Sequence, residues 1–348
     1  MIGCALAAGA QQAEPVIFRE RSFDFGNVQE SQGNVDHEFI FTNNSGRPLR
    51  ITGVKASCGC TTPAWTNTVI PAGKTGFVKA SFDPRGRPGY FNKTLTVQTD
   101  LENGEVVLQI KGHVVTANGE EAQPGIAMGT LKFNTRYFNV GKVYTNREAV
   151  VRDFPVLNAG SSVVRFKEVM APEYVKVQTP QQLQPQEKGE IRITYDGRKR
   201  NQLGFYTDNI TLLTDDPAGE SKSITLFATI EEYYPRPTPE EQAKAPVLSI
   251  RVPVVDLGRY ESGVTIEKDV YVLNSGKRDL VIKALQPNCS CVTAAAVQNV
   301  VHPGDSVAIK VVFTPQKRVG TQQKAVTIYS NDPRSPVQMI QLQVFVEK

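Results

Sequence analysis

The stretch Phe23-Asp24-Phe25-Gly26-Asn27-Val28 decides the fold, because it returns twice. Its echoes are Phe138-Asn139-Val140-Gly141-Lys142-Val143 and Val255-Asp256-Leu257-Gly258-Arg259-Tyr260, a period of about 115 residues. Other landmarks keep step. Downstream come Asn44-Ser45-Gly46, Asn158-Ala159-Gly160 and Asn274-Ser275-Gly276, where Asn and Gly suit a turn with left-handed backbone. A Pro/Gly turn follows at Pro71-Ala72-Gly73, at 185–189 and at Pro303-Gly304. Then come Phe82-Asp83-Pro84, Tyr195-Asp196-Gly197 and Phe313-Thr314-Pro315, and a Gly before the late strands at Gly89, Gly204 and Gly320.

Between the landmarks the pattern is that of strands. His37-Glu38-Phe39-Ile40-Phe41-Thr42 and Lys268-Asp269-Val270-Tyr271-Val272-Leu273 alternate or run apolar over strand length, with many β-branched and aromatic residues. Short strands at regular spacing predict an all-β chain of three tandem immunoglobulin-like β-sandwich domains at 18–115, 130–230 and 247–348. The connection 231–247 is Pro-rich, which predicts a stiff, extended spacer and an array that does not fold back on itself.

The 348 residues are enough for three such cores, and 40% hydrophobic with 21% charged residues is an ordinary globular balance. A net charge of +4 is too weak to point to nucleic acid. No run of about 18 apolar residues suggests a transmembrane helix. Residues 1–17 read as the tail of a secretory signal: Ile2 to Ala10 are small or apolar, and Ala8-Gly9-Ala10 resembles a signal-peptidase site. Cys4 after Gly3 hints at a lipid anchor, but the apolar run continues past it. The chain is therefore expected to be exported, to the periplasm or cell surface.

The repeat also resembles a known family. Phe23 to Val28, the Asn-x-Gly turn and Ser57-Cys58-Gly59-Cys60-Thr61 look like the bacterial family catalogued as domain of unknown function fifteen seventy-three, and Asn288-Cys289-Ser290-Cys291-Val292 repeats the cysteine motif. The run Phe313-Thr314-Pro315, Gly320 and Ile328 to Pro333 is similar to the Ig-like domains of the ASPM/SPD-2/Hydin group. The second repeat has Met170-Ala171-Pro172 near where a cysteine pair would fall. The resemblance implies an Ig-like sandwich and export; it implies no chemistry.

Two constellations remain. Cys58 with Cys60, and Cys289 with Cys291, are i,i+2 pairs whose side chains share a face on a strand. They read first as local structural pairs, either buried thiols or short disulfides, and not as one shared site. A soft-metal site for copper or zinc is the alternative, but the repeats share no His: His37 and His113 belong to the first and His302 to the third. The second constellation is a basic loop in each repeat: Arg85 and Arg87, then Arg198, Lys199 and Arg200, then Lys317 and Arg318. These are candidate contacts for an anionic ligand, although solvated hairpin loops favour Lys and Arg in any case.

Catalytic motifs fail. Gly73-Lys74-Thr75 lacks the earlier Gly of a phosphate loop, since position 68 is Thr. Asp215-Asp216 and Asn331-Asp332 could take calcium but suit turn capping better. Trp65 is expected as a core or rim aromatic. No enzyme and no cofactor is expected. The expected function is a non-catalytic envelope binding or scaffold protein with a protein or polysaccharide partner; the alternative is a periplasmic thiol-redox or soft-metal protein.

Overall fold

The structure is a computed structural model that describes residues 15–57, 59, 61–87, 89–101, 105–115, 125–235, 237–316 and 318–347. The leader, Cys58, Cys60 and Lys317 lie outside the described residues. Among the described residues, strands form six sheets. In the first repeat, Val16–Phe18, Val35–Asn43, Thr75–Phe82 and Thr61–Trp65 make one sheet in the order 16–18, 35–43, 75–82, 61–65. Ser22–Gln29, Glu105–Val115, Gly89–Thr99 and Ile51–Ala56 make the other. The later repeats follow the same order with one or two added short strands. Each repeat closes on its own apolar core: Phe39, Phe41 and Phe82 in the first, Phe133, Ile191 and Leu212 in the second, and Val301, Ile309 and Phe313 in the third. Fully burying one such side chain contributes about 1.5–3 kcal/mol.

The recurring Gly motif is a bulge. Ser22–Gln29 pairs in parallel with Glu105–Val115, and the register slips between Asp24 and Asn27. Gly26 takes φ +65°, and its N–H donates to Asp24 Oδ1 at 2.9 Å. Gly141 on Asn139 (2.9 Å) and Gly258 on Asp256 (2.8 Å) repeat the arrangement, with φ +85° and +92°. The motif thus supplies a side-chain acceptor and a residue free to enter left-handed space, and the bend they make turns the strand along the sheet edge.

The turn asparagines are also one device, with a register correction. The counterpart of Asn158 and Asn274 is Asn43, one residue before the expected Asn44. All three are 0% exposed. Each Nδ2 donates to two carbonyls: Arg47 and Ile70 (2.8 and 2.8 Å), Ser162 and Leu183 (2.8 and 2.9 Å), Arg278 and Val301 (2.8 and 2.8 Å). Each Oδ1 accepts a backbone N–H two residues on. The amide replaces ladder bonds where the chain leaves the sheet, so its role is structural.

The connection between the second and third repeats departs from the expected extended spacer. It contains a helix, Pro239–Lys244, opened by a capping box between Thr238 and Glu241. Lys283 of the third repeat bonds to Glu232 and, at 2.8 Å, to Tyr234 Oη, tying the start of the connection down. The array also folds back. Arg21 of the first repeat meets Gln338 of the third at 2.7 Å, and Val107 packs with Ala325 and Met339. A Pro-rich segment limits reach but does not set direction; complementary sheet faces do.

Candidate functional site

The folded-back array encloses a polar cleft of about 430 Å³ lined by all three repeats. Its walls come from strands whose sequence looks like ordinary alternation. In Glu105–Val115, the polar residues Gln109, Lys111 and His113 should face water if the repeat stood alone. All three are buried, because that face is covered by the other repeats.

The cleft has internal symmetry. The hairpin Gly89–Thr99/Glu105–Val115 corresponds to Gly320–Ser330/Val337–Glu347, with Thr94 opposite Gln109 matching Ala325 opposite Gln341. The lining then falls into equivalent pairs: Ser57 with Asn288, Asn92 with Gln323, Thr94 with Ala325, and Gln109 with Gln341. Across the contact, Val107 packs with its own counterpart Met339. The first and third repeats therefore meet through the same face, as the halves of a two-fold dimer do, here within one chain. Ser57 and Asn288 immediately precede the two cysteine pairs. The expectation that those motifs lie far apart is corrected to that extent: their leading residues flank one cleft.

Each joint is closed by committed polar groups. Between the first and second repeats, Glu231 receives Lys111 at 3.4 Å and Lys142 at 2.9 Å. Burial pushes the Glu231 carboxyl up, but the two lysines outweigh it and hold it below its ordinary value. Nearby, His113 is 2% exposed with neither ring nitrogen bonded, 6.2 Å from the Phe227 ring; burial lowers its pKa. Between the second and third repeats, Gln286 takes both backbone groups of one residue, accepting from Phe205 N at 2.6 Å and donating to Phe205 O at 2.8 Å. Gly204, at φ +142°, lets it approach: a Cβ there would lie 2.7 Å from Gln286 Nε2. Between the first and third, Thr96 Oγ1 donates to Gln341 Oε1 at 3.2 Å. Gln109 accepts from Ser22 and donates to Asn92.

The predicted site residues are spread over the molecule. Cys289 and Cys291 form a disulfide in the turn between Leu280–Pro287 and Val292–Ala296, with Cα atoms 5.1 Å apart. Cys291 is 2% exposed and belongs to the core; Cys289 is half-buried. The basic loops are largely self-satisfied. Arg85 makes a two-point contact with Asp83, which holds that carboxyl down to about 2. Arg87 donates to Arg85 O at 2.6 Å, Arg198 reaches Asp196 at 3.4 Å, and Arg318 reaches Gln316 at 2.8 Å. Lys199 lies in the short helix Gly197–Arg200, capped by Asp196.

Arg200 departs from the expectation of a solvated loop cation. Its side chain is 7% exposed and bonds to Asp208 at 2.7 Å, inside a cluster in which Tyr174 and Tyr195 hydroxyls also donate to Asp208. The Arg200 guanidinium lies 3.9 Å from the Tyr206 ring centre. It holds the second sandwich together. Asp215 and Asn331 cap backbone at Arg165 N and Val281 N, Asp216 pairs with Lys222 at 2.6 Å, and Trp65 packs against the first core. His37 stacks on Phe23, and His302 meets Asp279 at 2.9 Å.

Comparison with known proteins adds a family and no activity. A protein of unknown function from Porphyromonas gingivalis W83 is similar in structure at 17% identity, with a TM-score of 0.48 over 62% of this chain and 100% of that one. A PapD-like domain of human CEP192 gives 10% identity and a TM-score of 0.26 over 34% of this chain and 97% of that one. The YadV chaperone gives 11% and 0.24 over 61% and 100%. No curated protein matches. The family described as "Protein of unknown function (DUF1573)" matches residues 16–114 and again 248–346, the two repeats that carry cysteine pairs and meet across the cleft, and the chain belongs to that family.

Proposed function

We propose that this chain is an exported, non-catalytic binding or scaffold protein of the bacterial envelope, built from three Ig-like domains at about 18–115, 130–230 and 247–348. The observation that carries the reading is the use of polar side chains at the joints. Lys111, Gln286 and Gln341 are spent on holding one repeat to the next, which suits a shaped body that presents a surface. The remaining polar lining, Gln323 and Lys324 among it, faces a cleft suited to a polar envelope component such as a protein segment or polysaccharide. The exposed Arg85, Arg87, Arg198 and Lys199, with the half-buried Arg318, form a second set of cations that an anionic component would meet; Arg200 is excluded by its burial.

The test is fractionation of cells expressing the chain behind a secretory signal, followed by co-sedimentation of the purified protein with isolated envelope. The reading expects recovery outside the cytoplasm and saturable sedimentation that weakens with salt. Exclusive cytoplasmic recovery after signal processing, or no sedimentation at low salt, overturns it.

A further inference from the structure

The cysteine turn of the third repeat has an asymmetry that a structural staple would not need. Four bonds from the backbone hold the turn without using sulfur as a tether. Asn288 N donates to Ala325 O at 3.0 Å, and Asn288 Oδ1 accepts from Ala325 N at 3.0 Å. Val292 N donates to Cys289 O at 3.1 Å, and Thr314 N to Cys291 O at 2.8 Å. A disulfide between residues two apart closes so small a loop that it removes little chain entropy. The second repeat makes the corresponding passage, from Val164–Met170 to Val175–Gln178, through Ala171 and Pro172 with no thiol. The sandwich itself does not require the bond.

The two sulfurs are unequal. Cys291 is packed in the core beside the third sandwich's aliphatic residues, whereas Cys289 is half-buried at the edge of the same core. The backbone N–H of Cys291 donates to Cys289 Sγ at 3.0 Å. An N–H aimed at sulfur favours the thiolate form, so the less buried sulfur is also the one prepared to carry negative charge. The residues leading into the turn, Pro287 and Asn288, line the cleft together with Lys324. A peptide in that cleft would therefore run toward the turn.

We infer that the Cys289–Cys291 disulfide is a stoichiometric thiol–disulfide exchange site for a cysteine-bearing peptide segment. A peptide thiolate attacks Cys289 Sγ, forming the peptide–Cys289 disulfide and breaking the Cys289–Cys291 bond. Cys291 leaves and takes up the proton the incoming thiol gave up. A second thiol of the peptide then attacks its own half of the mixed disulfide, and Cys289 is released as a thiol. Two electrons and two protons pass from the dithiol peptide to the protein. Cys289 is the attacked sulfur and Cys291 the leaving one; in the reverse direction Cys289 attacks and Cys291 resolves. This activity stands apart from the envelope-binding reading and does not depend on it.

The experiment uses the full chain with Cys4, Cys58 and Cys60 changed to Ser, so that one pair is read. A peptide containing two cysteines, reduced, is the probe, with reduced glutathione as the small-thiol arm; mass spectrometry follows adducts. With Cys291→Ser, the activated-disulfide form of the peptide is expected to trap on Cys289 at least about tenfold faster than it traps on Cys291 in the Cys289→Ser variant, which is the expected effect of exposure and thiolate character. With the pair intact, the reduced peptide is expected to emerge oxidised, one disulfide per chain, and faster than glutathione reacts. Equal trapping at the two positions, or an intact pair that stays oxidised while a free peptide disulfide is fully reduced, overturns the inference. Glutathione reacting faster than the peptide also overturns the assignment of a peptide partner. Circular dichroism of each variant confirms the fold, and a fold lost in Cys289→Ser/Cys291→Ser would show the bond to be structural and overturn the inference.

Discussion

Arg21 of the first repeat donates to Gln338 of the third at 2.7 Å, filling a role that the second repeat fills by itself. In the second repeat, Lys222 and Asp216 form a fully buried pair. Gln338 and Asp332 occupy the equivalent positions of the corresponding hairpin in the third, the strand position of Lys222 and the turn position of Asp216. The lysine is replaced by an amide, and a guanidinium from another repeat approaches instead. Asp332 accepts from Leu248 N and Arg334 N, each at 3.0 Å, with the Arg334 side chain at 3.8 Å, and burial raises its pKa. Arg21 is itself lowered to about 10, first by burial, with Asp332 pulling the other way.

Arg21→Met is therefore expected to destabilise the third repeat and loosen the array together. Removing one partner from a buried charged set costs about 3–5 kcal/mol, read as a lower urea midpoint. Adding Gln338→Lys to Arg21→Met should restore much of the loss, since that recreates the pair of the second repeat, while leaving the array open. Recovery of both properties, or of neither, would contradict the borrowed-cation account.

Asn158→Ala should cost about 1–3 kcal/mol, because it strands the buried carbonyl of Leu183 and removes the partners of Ser162 O and Gly160 N. Asn43→Ala and Asn274→Ala should cost similar amounts. A denaturation series over these three variants checks the register: a loss at Asn43 far below those at Asn158 and Asn274 would contradict it.

That register shows what sequence could and could not reveal. The bulge glycines and the strand alternation are local, so they are visible as a repeat. Asn43 and Asn44 are adjacent and chemically identical, and only the count of residues to the turn separates them. The cleft was hidden for another reason. Gln109, Lys111 and His113 alternate with Val and Ile in the way a solvated sheet face does, and nothing in period-two alternation distinguishes water from a second protein surface. Arg200 was misread because three cations in a row look like a loop; its partner Asp208 comes from the following strand. The one available hint was the density of amides in Gln338, Gln341 and Gln343.

His113 makes the joint between the first and second repeats sensitive to acid. It is buried neutral, with Lys111 and Lys142 facing the same joint and Glu231 as the carboxylate between them. Its folded pKa is depressed, so the unfolded or opened state binds the proton more readily. Stability is full above the unfolded value of about 6.5 and falls as pH drops from there toward the folded value. Urea midpoints at pH 8 and pH 5 should differ for the wild type, and His113→Phe should remove that part of the difference. An unchanged pH dependence in His113→Phe would place the acid sensitivity elsewhere.

Gly204→Ala should open the joint between the second and third repeats without unfolding either one. Its φ of +142° disfavours any side chain, and the new Cβ would strike Gln286. The expected sign is faster proteolysis in 232–247 with unchanged resistance of the sandwiches. Cleavage inside the second sandwich instead would mean that Gly204 supports the core rather than the joint.

The central claim is that the two family repeats meet face to face and close the array. Small-angle X-ray scattering of the full chain in dilute solution tests it most directly. A closed chain of this length should give a radius of gyration of about 20 Å, and three bodies of about 13 Å each set in line should give about 30 Å or more. The account predicts the smaller value for the wild type and a clear increase for Arg21→Met. The larger value for the wild type, unchanged by Arg21→Met, would contradict it.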